Sequence, residues 1–276
     1  MVRSYAPAAP PAVYPERPAG FVTFLGHVFT VADAEIRKLQ HDPVELLMRA
    51  VQPTLWLVVF GQVMSHLRGV PTGKLTYLDF MAPGILAQSV LFIAIFYGVS
   101  AIRERDMGVL QKYLVSPISR VSLVLGKAIS ASVRALSQGV IVYILALLLH
   151  IHATWQPLNI LGVLLLIVMG SAVFSTFSLV IACIVKTHER VMGMGQVMTM
   201  PLFFASNAIY PIVLMPGWLK IIATVNPLTY EVDGLRALMV QGGTSVYGLG
   251  VDFAVLLAFS AALMALAARL YPRLVT

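Results

Sequence analysis

The stretch LNILGVLLLIVMGSAVFSTFSLVIACIV, residues 158–185, decides the fold, because it is long, strongly apolar and free of charged residues. A helix needs roughly 20 apolar residues to cross the hydrocarbon core of a bilayer. The stretch therefore predicts a transmembrane helix over Leu158–Val185. It is long for a single crossing, so we expect this helix to tilt or to break at Gly170.

The composition of the whole chain agrees with a membrane setting. Of its 276 residues, 59% are hydrophobic and only 11% are charged, whereas soluble domains have about 25% charged residues. A soluble fold of this length would need more charged side chains on its surface. The net charge of +7 is spread between apolar runs and forms no basic patch with interleaved aromatics, so we expect no nucleic-acid partner.

Six apolar segments are candidates to cross the bilayer, and they predict an all-α integral membrane protein. The predicted transmembrane helices are Leu47–Met64, Phe80–Ile102, Ile129–His150, Leu158–Val185, Val191–Leu214 and Val251–Leu270.

The remaining sequence predicts a division into three regions. Residues 1–20 are rich in Pro and Ala and predict a disordered cytoplasmic tail. Residues 21–45 carry apolar side chains near helical spacing together with several charges, which is typical of an amphipathic helix at the membrane surface. Residues 46–276 would then form the transmembrane domain.

The basic residues predict which side of the membrane each loop faces. Fourteen of them fall in segments that lie on one side if there are six spans, and four fall on the other side. Because cytoplasmic loops are enriched in Lys and Arg, both termini are predicted to be cytoplasmic. The outer set is Arg68, Lys74, Lys220 and Arg236.

The segment between the last two predicted spans is too polar to cross the membrane, yet it contains two short apolar pieces. These pieces, Trp218–Ile222 and Leu235–Val240, are separated by Asn226 and Pro227, and proline breaks helices. We expect a re-entrant pair of short helices whose irregular backbone is covered by protein.

Charged side chains lie in the second half of this predicted re-entrant pair. Glu231 and Asp233 are its acids, and Arg236 follows Asp233 at a spacing that places both on one helix face. Either the two form a local ion pair, or they contribute to a gate at the outer mouth.

The loop between predicted spans two and three opens with charges and closes with Pro117. Within it, Met107, Leu110 and Leu114 share one helix face. The pattern is typical of a helix that docks into a partner's groove. A membrane-surface turn covered by snorkelling cations explains the same residues equally well.

Two separated motifs resemble one known family. The run ERDMGVLQKYLVSP (Glu104–Pro117), followed by LGK at 125–127, resembles the first cytoplasmic loop of ABC-2 type transporter permeases, particularly of the daunorubicin-resistance type. NPLTY at 226–230 with VDGLR at 232–236 resembles the segment before the last helix of that family. One departure is GVLQ at 108–111, where many members have Gly-Thr-Leu-Glu, so a docking role for that acidic group is not carried over.

The resemblance implies a permease subunit in the bacterial cell membrane that forms a dimer with a second copy or a paralogue and binds separate ATPase subunits. ATP and Mg would be bound by the ATPase partner, because this chain has no Gly-x-x-x-x-Gly-Lys-Ser/Thr loop. We expect no catalytic residue, cofactor or metal on this chain. The residues implied in coupling to the ATPase are Glu104, Arg105, Gly108, Leu110, Leu114 and Pro117, and those implied in the re-entrant gate are Asn226, Pro227, Tyr230, Asp233 and Arg236.

Several lone polar or soft side chains inside the spans are further candidates. Arg134 lies inside the third predicted span, where a charge costs roughly 2.5–3.5 kcal/mol, so it either faces the substrate path, snorkels or pairs with a neighbour. Met198 is the second candidate for the substrate path, because flexible thioethers accept varied apolar ligands. His150 and His152 lack a nearby third ligand and predict an outer loop, with no metal site.

The leading functional prediction is the permease of an ATP-driven exporter for an amphiphilic drug, lipid or lipid-like metabolite. Export of a polysaccharide or glycolipid by the same fold is an alternative. An ATP-independent channel or secondary transporter would normally carry buried carboxylates at the midplane, and predicted spans two to five contain no Asp or Glu in their interiors. A structural scaffold would leave the charged loop unexplained.

Overall fold

A computed structural model describes residues 43–66, 72–73, 75–107, 120–185 and 187–270. Within these ranges the chain is almost entirely helical, and its single extended feature is an isolated antiparallel bridge between Ala153 and Val240. The predicted tail and most of the predicted amphipathic helix, residues 1–42, lie outside the described residues.

The described chain forms nine α-helices. In chain order they are α1 (Pro43–Thr54), a π-helical segment (Leu55–Gly61), α2 (Gln62–His66), α3 (Tyr77–Asp106), α4 (Arg120–Leu148), α5 (Pro157–Val185), α6 (His188–Phe204), a 3₁₀ turn (Ile212–Leu214), α7 (Gly217–Val225), α8 (Pro227–Met239) and α9 (Leu249–Leu270).

Four of the described helices are long and apolar enough to cross a membrane. They are Tyr77–Phe96 of α3, Val124–Leu148 of α4, the whole of α5 and the whole of α9. They match the second, third, fourth and sixth predicted spans, with ends that differ by several residues. The first and fifth predicted spans do not meet the same length criterion, so the count of six stays a prediction.

Helix α5 lies at the centre of the bundle and packs against α3, α4, α8 and α9. Its 29 residues give a length of about 43 Å, which is longer than the hydrocarbon core. The alternative of a break at Gly170 is wrong, because the helix is continuous through this residue. Gly170 instead allows the Glu231 side chain of α8 to approach the α5 backbone.

The first predicted span, Leu47–Met64, falls on three consecutive helical segments. A π-helical segment follows Pro53, a residue inside α1 that has no backbone N–H to donate. Short π-helical turns occur mostly inside α-helices, as this one does. The helical nature of this region is therefore confirmed, while its crossing of a membrane stays a prediction.

The fifth predicted span, Val191–Leu214, ends about ten residues earlier than expected. Helix α6 stops at Phe204, and residues 205–209 form a buried turn. A Cβ added to Gly84 of α3 would lie 2.5 Å from the carbonyl oxygen of Ala208. The turn therefore packs directly on the α3 backbone, and its polar members Ser206 and Asn207 are buried there.

Two short helices precede the last span, as the sequence predicts. Helices α7 and α8 are separated at Asn226. Residues 228–236 of α8 are all buried, because the helix inserts between α3, α5 and α9. Entry of the pair into the outer leaflet stays a prediction.

The connection between α4 and α5 is bound to the end of α8. The Thr154 amide donates to the Met239 carbonyl at 2.7 Å, and the Gln241 amide donates to the His152 carbonyl at 2.8 Å. The His152 amide also donates to the Asp79 carboxylate at 2.9 Å. Residues 151–154, which we call the strap, thus connect the start of α3 with the end of α8.

Candidate functional site on the buried helix α8

Helix α8 begins at a well-formed N-cap. The Asn226 side chain accepts a hydrogen bond from the Leu228 amide at 3.0 Å, and Pro227 occupies the first helical position, an arrangement favoured at helix starts. The same side chain donates from Nδ2 to the carbonyls of Leu202 and Ala205, at 2.7 and 3.2 Å. Asn226 therefore fixes α8 to the end of α6.

Asp233 is a fully buried carboxylate on α8 with several hydrogen-bond donors around it. The Val246 and Tyr247 amides donate to Oδ2 at 2.6 and 3.1 Å, and the Ser245 hydroxyl lies 3.0 Å from the same oxygen. Asn207 Nδ2 donates to Oδ1 at 3.2 Å. These bonds join Asp233 to the loop after α8 and to the turn after α6.

Arg236 is the buried cation of the same helix. Its Nε donates to the Phe80 carbonyl at 3.3 Å, and one terminal nitrogen donates to the Asn207 carbonyl at 2.6 Å. The guanidinium carbon lies 3.9 Å from the centre of the Phe80 ring, a cation–π contact. Burial lowers the pKa of Arg236 to about 10, with the Asp233 carboxylate acting in the opposite direction, so the side chain is charged at neutral pH.

The expected pairing of Asp233 with Arg236 is present but loose. Their closest nitrogen and oxygen are 3.9 Å apart, which is too long for a hydrogen bond. The two charges therefore stabilise each other through space, while each makes its hydrogen bonds to other groups.

Glu231 is the third charged residue of α8 and is fully buried. Neither carboxylate oxygen has a hydrogen-bond partner among the described residues. Burial raises the pKa of Glu231 well above its usual value, because a charge without partners is costly in an apolar interior. A Cβ added to Gly170 would lie 2.2 Å from the Glu231 carboxyl carbon, so this contact depends on the absence of a side chain at residue 170.

Asp252, in the first turn of α9, is the last of these buried charged residues. Its carboxylate lies 2.7 Å from the Ser245 hydroxyl, which also contacts Asp233. Ser245 therefore links α8 to α9.

We call this group of side chains the cluster: Asn207, Glu231, Asp233, Arg236, Ser245 and Asp252. Its hydrogen bonds hold α8, the start of α9, the turn after α6 and the loop after α8 in one arrangement. Among the residues that the structure describes, no group of three His, Cys, Asp or Glu side chains could hold a metal ion. The interactions of these side chains are hydrogen bonds and charge–charge contacts that hold helices and loops in position.

A separate apolar cavity of about 510 Å³ lies between α6 and α7. It is lined by Met198, Trp218 and Leu219, among other apolar side chains. Its polar lining groups make internal hydrogen bonds, since the Tyr210 hydroxyl donates to the Phe204 carbonyl and Asn226 bonds the end of α6. The cavity therefore offers apolar contact, and Met198 is one of its walls.

Arg134 is not among the residues that line this cavity. Helix α4 begins at Arg120, earlier than the predicted start at Ile129, and its apolar part begins at Val124. Arg134 consequently lies about 15 Å along the helix from Val124, deeper than the sequence indicated, and its side chain is partly buried. The structure therefore does not bring Arg134 and Met198 together in this cavity.

The residues implied in coupling fall at the edge of the described structure. Glu104 and Arg105 belong to the last turns of α3. Gly108, Leu110, Leu114 and Pro117 lie outside the described residues, so their role stays a prediction.

Three residues that contact the charged side chains of α8 or α9 were not predicted as site residues from the sequence. Asn207 lies in a segment that was predicted to be a span, Ser245 lies in a loop, and Gly170 was considered only as a break point. A polar Ser206–Asn207 pair near the end of an apolar run was the one available signal, because such residues are rare against lipid.

Comparisons with known proteins agree on one family. The model of the family described as ABC-2 type transporter matches residues 26–240, well over half of the chain. The transport permease ycf38 of Cyanophora paradoxa is 30% identical over 221 residues, covering 78% of this chain and 74% of that protein.

Two further relatives are named as drug-related permeases. The daunorubicin resistance ABC transporter permease protein DrrB1 of Streptomyces coeruleorubidus is 28% identical over 93% of this chain and 89% of its own length. The multidrug ABC transporter permease YbhR of Escherichia coli K12 is 28% identical over 58% of this chain and 43% of its own length.

Proposed function

Because the chain belongs to the ABC-2 type transporter family, we propose that it is the membrane-spanning subunit of an ATP-driven exporter for an amphiphilic compound. The family and its relatives make it a permease subunit of an ABC transporter and a multi-pass membrane protein. Export, the amphiphilic substrate, a dimer and a separate ATPase subunit are our proposals.

The observation that carries the choice of substrate is the match to the daunorubicin resistance permease over nearly the whole chain. The apolar cavity beside Met198 supports it, because clefts of a few hundred Å³ lined by apolar side chains suit drug-sized molecules. Buried charges on α8 support a gate made by this helix, since such charges are expensive inside membrane proteins and usually functional.

In this proposal the ATPase subunits act on the chain through the segment Glu104–Pro117, and the signal passes along α3. Helix α3 is the natural route, because it begins beside α8, where Phe80 contacts Arg236, and ends at Asp106. Movement of α3 would therefore reach the cluster directly.

The test uses the full chain purified with the ATPase subunit that copurifies with it, in proteoliposomes. We expect no ATP hydrolysis by the chain alone, and transport with hydrolysis by the complex. Leu110→Asp together with Leu114→Asp should abolish assembly or transport, while Leu158→Asp, a matched change at an exposed residue at the other end of the bundle, should preserve the assembly. Full transport by the doubly substituted chain would disprove the coupling segment, and ion-coupled flux through the chain alone would favour a secondary transporter.

A further inference from the structure

A second cavity, distinct from the apolar one, lies against the charged cluster. It has a volume of about 410 Å³, within the range of small-molecule sites. Its walls come from the described residues just before α3, the start of α3, the segment after α6, helices α7 and α8, and the loop after α8.

Two cations stand in the wall of this cavity, Lys220 from α7 and Arg236 from α8. Among its described lining residues no carboxylate occurs. Asp233 lies behind Arg236 at 3.9 Å, and its oxygens are already bonded by Ser245, Asn207 and two loop amides. The wall therefore presents net positive charge.

Arg236 has hydrogen-bonding capacity beyond its protein contacts. Nε donates to the Phe80 carbonyl and one terminal nitrogen donates to the Asn207 carbonyl. The other terminal nitrogen is 3.9 Å from Asp233, beyond hydrogen-bond range. A guanidinium has five N–H donors, and an oxyanion is the acceptor that suits them best.

Asn207 provides the complementary acceptor. It lines the cavity, is 1% exposed, and its Oδ1 accepts no hydrogen bond from a described residue. A buried amide oxygen without a donor is costly. A ligand O–H beside an anionic oxygen would satisfy it, and a singly protonated phosphate ester carries both groups.

The rest of the wall is apolar. Phe80, Pro211, Ile212 and Val213 face the same cavity, and Val213 is 80% exposed. These side chains suit the hydrocarbon part of a ligand whose polar head lies at the two cations.

From these contacts, we propose that this cavity binds a phosphate monoester that carries an apolar chain. Lys220 and Arg236 bind its anionic oxygens, Asn207 Oδ1 accepts a hydrogen bond from its remaining hydroxyl, and Phe80, Pro211, Ile212 and Val213 contact its chain. The ligand is either a membrane lipid with an exposed phosphate or a soluble amphiphile with the same head group. The inference concerns binding by this chain alone and goes beyond the proposed transport function, so either can fail without the other.

The test is calorimetric titration of the purified full chain in phosphatidylcholine nanodiscs. Hexyl phosphate is the probe, and hexanol and inorganic phosphate are the controls for its two halves. We expect hexyl phosphate to bind about tenfold or more tightly than either control, because charge-assisted bonds and apolar burial combine. Binding of hexyl phosphate no stronger than that of hexanol would overturn the proposal.

Two substitutions locate the site without touching Arg236, which the bundle needs. Lys220→Gln should weaken binding about tenfold, and Val213→Trp should weaken it by occupying the cavity. Lys127→Gln, the same change near the start of α4, should leave it unchanged. Unchanged binding in both site variants would refute the assignment.

Anionic nanodiscs distinguish the two sources of the ligand. If the ligand is a lipid, nanodiscs containing phosphatidic acid should lower the apparent affinity for hexyl phosphate in the wild type, by competition at the same site. If the ligand is a soluble amphiphile, the affinity should not change. Competition that persists unchanged in the Lys220→Gln chain would place lipid binding elsewhere and contradict the lipid form of the proposal.

Discussion

Replacing Gly170 by Ala should destabilise the protein through one identifiable contact. The new Cβ would lie 2.2 Å from the carboxyl carbon of Glu231 and 2.2 and 2.4 Å from its oxygens, against an ordinary van der Waals separation of about 3.5–4 Å between carbons. Either the Glu231 side chain or α8 itself must move by more than an ångström. Overpacking of this kind costs about 1–3 kcal/mol, and Gly170→Ala should lose that much stability.

A matched control separates this contact from helix propensity. Gly→Ala inside a helix gains up to about 1 kcal/mol, and Gly193 of α6 has open space where its Cβ would be. Gly193→Ala should therefore leave the protein equally stable or more stable. The assay is the midpoint of thermal unfolding in detergent, where 1 kcal/mol corresponds to roughly 2–4 °C for a chain of this size.

The decisive comparison is a double-mutant cycle with Glu231→Ala, which removes the opposing carboxyl. In that background Gly170→Ala should cost less than about 0.5 kcal/mol, giving a coupling of about 1–2 kcal/mol. If Gly170→Ala is harmless alone, or equally harmful in both backgrounds, the contact between α5 and α8 is not the cause.

Three further predictions use the same thermal assay. Glu231→Gln should remove a pH dependence of the unfolding midpoint. Because the pKa of Glu231 is raised in the folded state, the wild type loses stability as pH rises from the unfolded-state pKa toward the folded-state pKa. An equal pH response in both proteins would contradict this. Asp79→Asn should destabilise the folded protein by about 1–3 kcal/mol, because it weakens the bonds from His152. Glu189→Gln, the control at an exposed site, should have little effect. Equal effects of the two substitutions would refute the role of the strap. Asn226→Ala should cost about 1–3 kcal/mol, because it removes both the cap and the two bonds to the end of α6. Asn226→Ser should cost less, since a serine hydroxyl keeps the cap, and the reverse order would disprove capping.

The sequence predicts the long apolar helices well, because they depend on one property summed over many residues. Four spans appear with modest shifts of their ends. The Asn226–Pro227 separation was equally readable, because a capping side chain followed by proline acts locally. Both predictions needed no knowledge of distant contacts.

The cluster on α8 could be predicted only in part, because its geometry depends on residues far apart in sequence. Asp233 and Arg236 were visible as neighbours, but their main partners, Asn207 and Phe80, lie 26 and 156 residues away. The end of α6 was misplaced for the same reason, since the buried turn after Phe204 is stabilised by packing on Gly84. Local sequence patterns contain no information on contacts between residues so far apart in the chain.

The strap has a mechanical consequence. The backbone hydrogen bonds from Thr154 to Met239 and from Gln241 to His152 join the α4–α5 hairpin directly to the end of α8. A displacement of α8 therefore moves the hairpin as well, as long as both bonds are intact. Any motion of α8 must therefore either carry the hairpin with it or first break this pair of hydrogen bonds.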